Sequence, residues 1–202
     1  MHNAGVAAAG ALEDVPESEL RRVMETNFFG VVELTRKLLP TFREQGSGRI
    51  VIVSSEAAFM GQPTNSIYCA SKWAVEGWAE SIAYELEPFG IEIVLVEPGP
   101  YRTEIWKTTP RIQPPGSPYH AGVQQVFRSG DAHAATVARD PKEAAMVVAR
   151  ALDATAALSL SRRPFRTLKS FSERKGAKST ASKGDEVLFG IKSGIVLIEQ
   201  RS

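Results

Sequence analysis

Two short runs, Ile50–Val53 and Ile91–Val96, constrain the fold of this 202-residue chain more than any other feature. Both are mostly β-branched and bounded by turn formers: Gly46 and Gly48 precede the first, which is continuously apolar, and Pro98-Gly99 follows the second, which only Glu92 interrupts. Continuous rather than alternating hydrophobicity marks a strand buried on both faces, as in a parallel sheet. Between them, Asn65 to Glu87 is rich in Ala, Glu and aromatic residues and is closed by Pro88 and Gly90, the pattern of a long helix. Strand, helix and strand at this spacing form a βαβ unit with a right-handed crossover.

Around this unit the pattern is coarser. A loop is expected from Val6 to Leu12. Asp14 and Glu17 have the spacing of a capping box, with Pro16 in the first turn of the helix it would open. From Glu17 to about Glu44, Leu20, Val23, Met24, Phe28, Val31, Val32, Leu34, Leu38 and Leu39 recur mostly at three- and four-residue intervals, which predicts one amphipathic helix, its end bent by Pro40. Residues 99–130, with Pro100, Pro110, Pro114, Pro115 and Pro118, read as a long lid or binding loop. Asp140-Pro141 opens a shorter helix to about Ala157.

Chemistry concentrates at the start of the second long helix. Tyr68 and Lys72 are four residues apart, so both side chains leave one helix face. A tyrosine of pKa ~10 is a poor base at neutral pH, and an ammonium beside it favours the phenolate. So tuned, it gives a proton to a carbonyl oxygen or takes one from an alcohol. Ser55 ends the preceding strand, and the carboxyl end of a strand borders the same crevice as the start of the next helix. A hydroxyl there can hydrogen-bond an oxygen on which charge develops. Asn27 sits mid-helix, where its amide costs propensity, so a reason outside the helix is expected for it.

These segments resemble the short-chain dehydrogenase/reductase family. His2-Asn3-Ala4-Gly5 is similar to its Asn-Asn-Ala-Gly motif, Thr26-Asn27-Phe28-Phe29-Gly30 to its helix asparagine segment, and Gly48 to Ser55 to the strand leading to the catalytic serine. Tyr68-Cys69-Ala70-Ser71-Lys72 is its Tyr-x-x-x-Lys, and Pro98-Gly99 with Thr103 its Pro-Gly-x-x-x-Thr. The resemblance implies an α/β fold, a doubly wound parallel sheet of Rossmann type, over residues 1–158. It implies hydride transfer between NAD or NADP and an alcohol or carbonyl substrate. Tyr68 would be the general acid/base, and Lys72 would lower its pKa and bind the nicotinamide ribose. Ser55 would hold the substrate oxygen, and Asn27 would anchor a water in the proton relay. Asn3, Ala4 and Gly5 would lie beside the cofactor, with Pro98, Gly99 and Thr103 at its nicotinamide end. Trp73, Trp78 and Phe89 would lie in the core or at a helix-to-helix interface of a homo-oligomer.

The family's Gly-rich phosphate turn and the residue that separates NAD from NADP precede the Asn-Ala-Gly motif. Three strand–helix units and a fourth strand, ~80–100 residues, are expected ahead of it. The chain is therefore expected to be the N-terminally truncated, catalytic carboxyl-terminal part of a longer protein, with the edge of the Ile50–Val53 strand unpaired. The rival reading is a relic without catalysis that dimerises through its two long helices.

Composition removes other classes. His2, His120 and His133 have no metal-ligand spacing, and the single cysteine, Cys69, excludes an internal disulfide and suits a reducing compartment. No run approaches the ~18 apolar residues of a membrane span, and a cytoplasmic location is expected. Residues 159–202 form a divergent tail. Its basic residues, Arg162, Arg163, Arg166, Lys169, Arg174, Lys175, Lys178 and Lys183, face one acid between 160 and 184, Glu173. Without a recognition motif or interleaved aromatics, the stretch is expected to be a solvated, partly disordered face rather than a nucleic-acid or membrane surface. Ile195–Ile198 could supply one more strand, and a frameshifted or fused end is the alternative.

Overall fold

The computed structural model describes residues 1–153 and the backbone of two strands at 187–192 and 195–200. The chain runs β1 (Ala9–Gly10), α1 (Glu17–Met24), a π-helical turn (Glu25–Phe29), α2 (Gly30–Gln45), β2 (Gly48–Val53), α3 (Ser66–Leu86), β3 (Ile91–Glu97), α4 (Ile105–Thr108), β4 (Arg111–Ile112), α5 (His120–Val137), α6 (Pro141–Leu152), β5 (Val187–Lys192) and β6 (Ile195–Gln200).

The main sheet has the order β2-β3-β6-β5. β2 and β3 are parallel, with Gly48 opposite Ile91 and Val53 opposite Val96. β6 joins β3 in parallel, and β5 closes the edge antiparallel to β6. Apolar side chains of the central strands are buried on both faces. Ile50, Ile52, Ile93 and Leu95 pack with Val75, Ala79 and Ala83 of α3 and Val31 of α2. Val51, Val94 and Val96 pack on the other face with Val147 and Ala151 of α6. Helices on both faces of a mainly parallel sheet make this the doubly wound α/β arrangement expected from the two largely apolar runs and the resemblance.

Several local expectations are corrected. The edge of β2 is partly paired: the His2 N–H donates to Val51 O at 2.7 Å, and the Val53 N–H donates to His2 O at 2.9 Å. The capping box does not form, because α1 has Pro16 at its N-cap without a side-chain cap, while the Asp14 carboxylate accepts the Ser117 hydroxyl at 2.6 Å. The long helix is continuous in sequence but changes to a π turn at Glu25–Phe29, and α2 runs five residues beyond Pro40 to Gln45. The loop expected at Val6–Leu12 contains β1, which pairs with β4. The proline-rich segment is not one loop, because α5 begins inside it at His120. Its apolar residues Val123, Val126 and Phe127 were obscured by the neighbouring glycines and prolines. Trp78 packs against the core, whereas Trp73 and Phe89 are exposed. Ile195–Ile198 lies within β6. The boundary expected at 158/159 and the basic stretch lie outside the described residues.

Gly90 makes the turn between α3 and β3 at φ +67°, and a Cβ there would stand 2.8 Å from Gly46 O. Strain and steric conflict coincide, so Gly90→Ala is expected to cost about 1–3 kcal/mol in urea unfolding. Gly61→Ala, where a Cβ meets nothing within 4 Å, should stay within about 0.5 kcal/mol of wild type.

Candidate active site

The end of β2 and the first turns of α3 bring together three of the four expected catalytic residues, Ser55, Tyr68 and Lys72. Ser55 follows β2 in extended conformation, and its hydroxyl hydrogen-bonds the Tyr68 phenol. Lys72 stands one turn further along α3, 6% exposed, with its Nζ 5.8 Å from the centroid of the Tyr68 ring. That amine donates to Val53 O at 2.9 Å.

Asn27 is held at the π turn, 2% exposed. Its Oδ1 accepts the Val6 N–H at 2.9 Å, and its Nδ2 donates to Val6 O and to Ser71 Oγ, each at 2.9 Å. Ser71 in turn donates to Tyr68 O at 2.7 Å. The asparagine therefore clamps an extended segment as a strand neighbour would and ties it to the Tyr68 turn. Both amide hydrogens are committed, so a water held by this residue would meet its acceptors. A π turn at a functional position, satisfied from outside the helix, explains the broken propensity.

Gly5 lies between Asn27 and Lys72: a Cβ there would be 3.7 Å from Asn27 Oδ1 and 3.9 Å from Lys72 Nζ. Asn3 and Ala4 precede it on the open surface. Pro98 O accepts the Glu56 N–H at 3.2 Å, and Gly99 lies against the Glu56 carboxyl, where a Cβ would be 3.5 Å from Oε2. Thr103 is exposed further along the loop after β3.

Burial dominates the electrostatics. It pushes the Tyr68 phenol above its usual range, against the Ser55 hydrogen bond, which favours the ionised form; Cys69 and the Glu56 carboxylate add to the rise. Burial pulls Lys72 down to about 8, opposed by the charge of Glu76. Burial raises Glu76 to about 7, although the Ser54 hydroxyl donates to its Oε1 and Lys72 lies one turn away. Glu56 is also raised by burial.

Four site residues escaped sequence reasoning: Ser54, Glu56, Ser71 and Glu76. Glu76 was legible in principle, because Tyr68, Lys72 and Glu76 continue one helix face at four-residue steps. Ser71 lay inside a quoted motif, but nothing local shows that its hydroxyl meets Asn27.

The donor set suits a ribose diol. Lys72 is a buried ammonium with three donors, of which the hydrogen bond to Val53 O uses one. The exposed Asn3–Ala4 approach and Gly5 leave room beside it. These residues fit the nicotinamide-ribose end of a dinucleotide.

A family model described as short chain dehydrogenase matches residues 1–113. The chain belongs to the short-chain dehydrogenase family. Among curated relatives, it is 48% identical over 109 residues to an uncharacterized oxidoreductase of Bacillus subtilis, YusZ, covering 54% of this chain and 39% of the relative. It is 45% identical over 103 residues to 3-ketodihydrosphingosine reductase of Bacteroides thetaiotaomicron, covering 51% of this chain and 38% of the relative. It is 42% identical over 101 residues to human 17-beta-hydroxysteroid dehydrogenase type 1, covering 50% and 31% respectively. The chain thus spans about two fifths or less of these relatives' length. A solved short-chain dehydrogenase from Streptomyces avermitilis superposes with a TM-score of 0.58 at 33% identity, covering 76% of this chain and 56% of that one. Among the described residues, no helix is long and apolar enough to cross a membrane and no cluster of potential metal ligands occurs.

The Asn27 clamp carries a stability prediction. Asn27→Ala strands the Val6 amide and carbonyl and the Ser71 hydroxyl, and should cost about 3 kcal/mol in urea unfolding. Asn27→Gln should not restore the loss, because its amide lies one methylene too far.

Proposed function

We propose that these residues form the catalytic part of an NAD(P)-dependent oxidoreductase that interconverts an alcohol and a carbonyl compound. The observation that carries this reading is the Ser55–Tyr68 hydrogen bond with the Lys72 ammonium against the Tyr68 ring. A bound nicotinamide would supply or accept the hydride. Ser55 would hold the substrate oxygen and Tyr68 would exchange its proton. Lys72 would meet the ribose and favour the phenolate, and Asn27 would keep the Val6 segment and the Tyr68 turn in register. Asn3, Ala4, Gly5, Pro98, Gly99 and Thr103 would border the cofactor.

Two observations favour a bulky apolar substrate. The curated relatives include enzymes named for a sphingoid base and a steroid. An open, mostly apolar cleft of about 470 Å³ lies beside the start of α3, lined by Leu12, Ser66, Tyr119, Val123 and Val126 among others. Ser55, Tyr68 and Lys72 do not line it, so it would take the body of a substrate rather than its reacting end. Phe29, Leu34, Trp73 and Tyr84, exposed along the two long helices, support self-association through them. A dimer mass in light scattering, lost in Trp73→Asp, is the expected result.

The raised Tyr68 pKa suits carbonyl reduction, because the phenol is protonated at neutral pH and is lost as a donor as pH rises through its pKa. Reduction of an apolar ketone should therefore fall with rising pH, while oxidation of the matching alcohol should rise. Tyr68→Phe should lower kcat about 10²–10⁴-fold in both directions with cofactor binding little changed. Fluorescence titration with NADH and NADPH separates binding from turnover. Absence of binding at millimolar concentration of either would overturn the reading for these 202 residues.

A further inference from the structure

Three successive residues at the end of β2 each hold one turn of α3. Ser55 meets Tyr68, Val53 O takes the Lys72 amine, and the Ser54 hydroxyl donates to Glu76 Oε1. The first two contacts belong to the reaction proposed above, whereas the third has no part in it. Yet Glu76 is the residue whose placement most needs a reason. An acidic side chain turned inward on a helix costs free energy unless it is paired. Lys72 presents the converse problem: a 6% exposed ammonium whose hydrogen bond goes to one backbone carbonyl. The two lie one turn apart on the same face of α3, so each offers the other the counter-charge it lacks.

We propose that Glu76 is a positioning residue that keeps Lys72 charged and turned toward Tyr68, with Ser54 holding the carboxylate in place for that task. Its catalytic consequence rests on the oxidoreductase reading; its effect on Lys72 does not. The ionisable groups acting on the pair are few. Glu76 raises the proton affinity of Lys72 against the pull of burial. Glu76 itself is raised by burial, lowered by the Ser54 hydrogen bond and by Lys72, and raised again by Glu80, the next acid along α3. From β2 the pair meets the Ser54 hydroxyl and the Val53 carbonyl dipole, and from the preceding turn the neutral Tyr68 phenol. With Glu76 neutralised, the ammonium would lose that counter-charge and would release its proton more readily. A neutral amine no longer attracts a developing phenolate.

The test uses the whole chain labelled with ¹³Cε-lysine and follows the Lys72 signal with pH, assigned by its loss in Lys72→Arg. The wild-type midpoint should lie near 8. Glu76→Gln should lower it by about one unit or more. Ser54→Ala, which keeps the carboxylate but removes its hydrogen bond, should lower it by less. A midpoint unmoved by Glu76→Gln overturns the proposal. Should Glu76→Gln fail to fold, an unmoved midpoint in Ser54→Ala overturns it instead. No turnover is needed for this readout, so its failure is distinct from failure of the oxidoreductase reading. In an active preparation the fall of reduction with rising pH should move to higher pH in Glu76→Gln, because a neutral Lys72 no longer favours the Tyr68 phenolate, a shift that a purely structural role would not produce.

Discussion

The site depends on one junction, where the carboxyl end of β2 runs against the first turns of α3. A strand end presents backbone carbonyls and alternating side chains, while a helix face presents one side chain per turn. Here the two periodicities are joined by Val53–Lys72, Ser54–Glu76 and Ser55–Tyr68. The apolar packing of Ile50 and Ile52 against Val75 and Ala79 continues the same contact into the core. Ionisable groups are thereby carried to the border of the core, which is why burial is the leading cause of every shift at Tyr68, Lys72 and Glu76.

Much of this architecture was legible in the residues. The run at Ile50 is apolar at every position and the run at Ile91 at all but Glu92, and the structure buries both faces of the strands they form. Tyr68, Lys72 and Ser55 could be placed because local spacing carries them: two share a helix face, and one ends a strand. What escaped required contacts between distant segments. The Glu76–Ser54 bond crosses 22 positions, and the Asn27–Ser71 bond crosses 44. Asp14 looked like a helix cap but serves Ser117, which lies 103 residues further on. The helix α5 was hidden by Gly122 and Gly130 within it and by the prolines that precede it.

Asn27 shows how a single side chain can substitute for sheet pairing. Its amide reproduces the donor–acceptor pair of a backbone neighbour, so the segment at Val6 is satisfied from a helix rather than a strand. The same segment starts as a partial strand at His2 and ends at β1 against β4. It is fastened in turn by β2, by the π turn and by the loop that carries β4, and so it couples the cofactor-facing side of the proposed site to the cleft at the start of α3.

The π turn at Glu25–Phe29 also explains a periodicity that looked unremarkable. Val23, Asn27, Val31 and Thr35 are all buried, at a strict interval of four. In an ideal α-helix of 3.6 residues per turn, four-residue steps rotate the buried stripe by about 40° each, and over this span it would wander from the interior toward solvent. One residue added to a turn takes up about 100° of that drift. The wider turn therefore acts as a phase correction, letting a four-fold repeat stay turned inward, toward α3 at α1 and the π turn and toward β2 at α2. Removing a single residue between Glu25 and Phe29 would turn Val31 and Thr35 out of the core while leaving every residue type in the helix compatible with being helical.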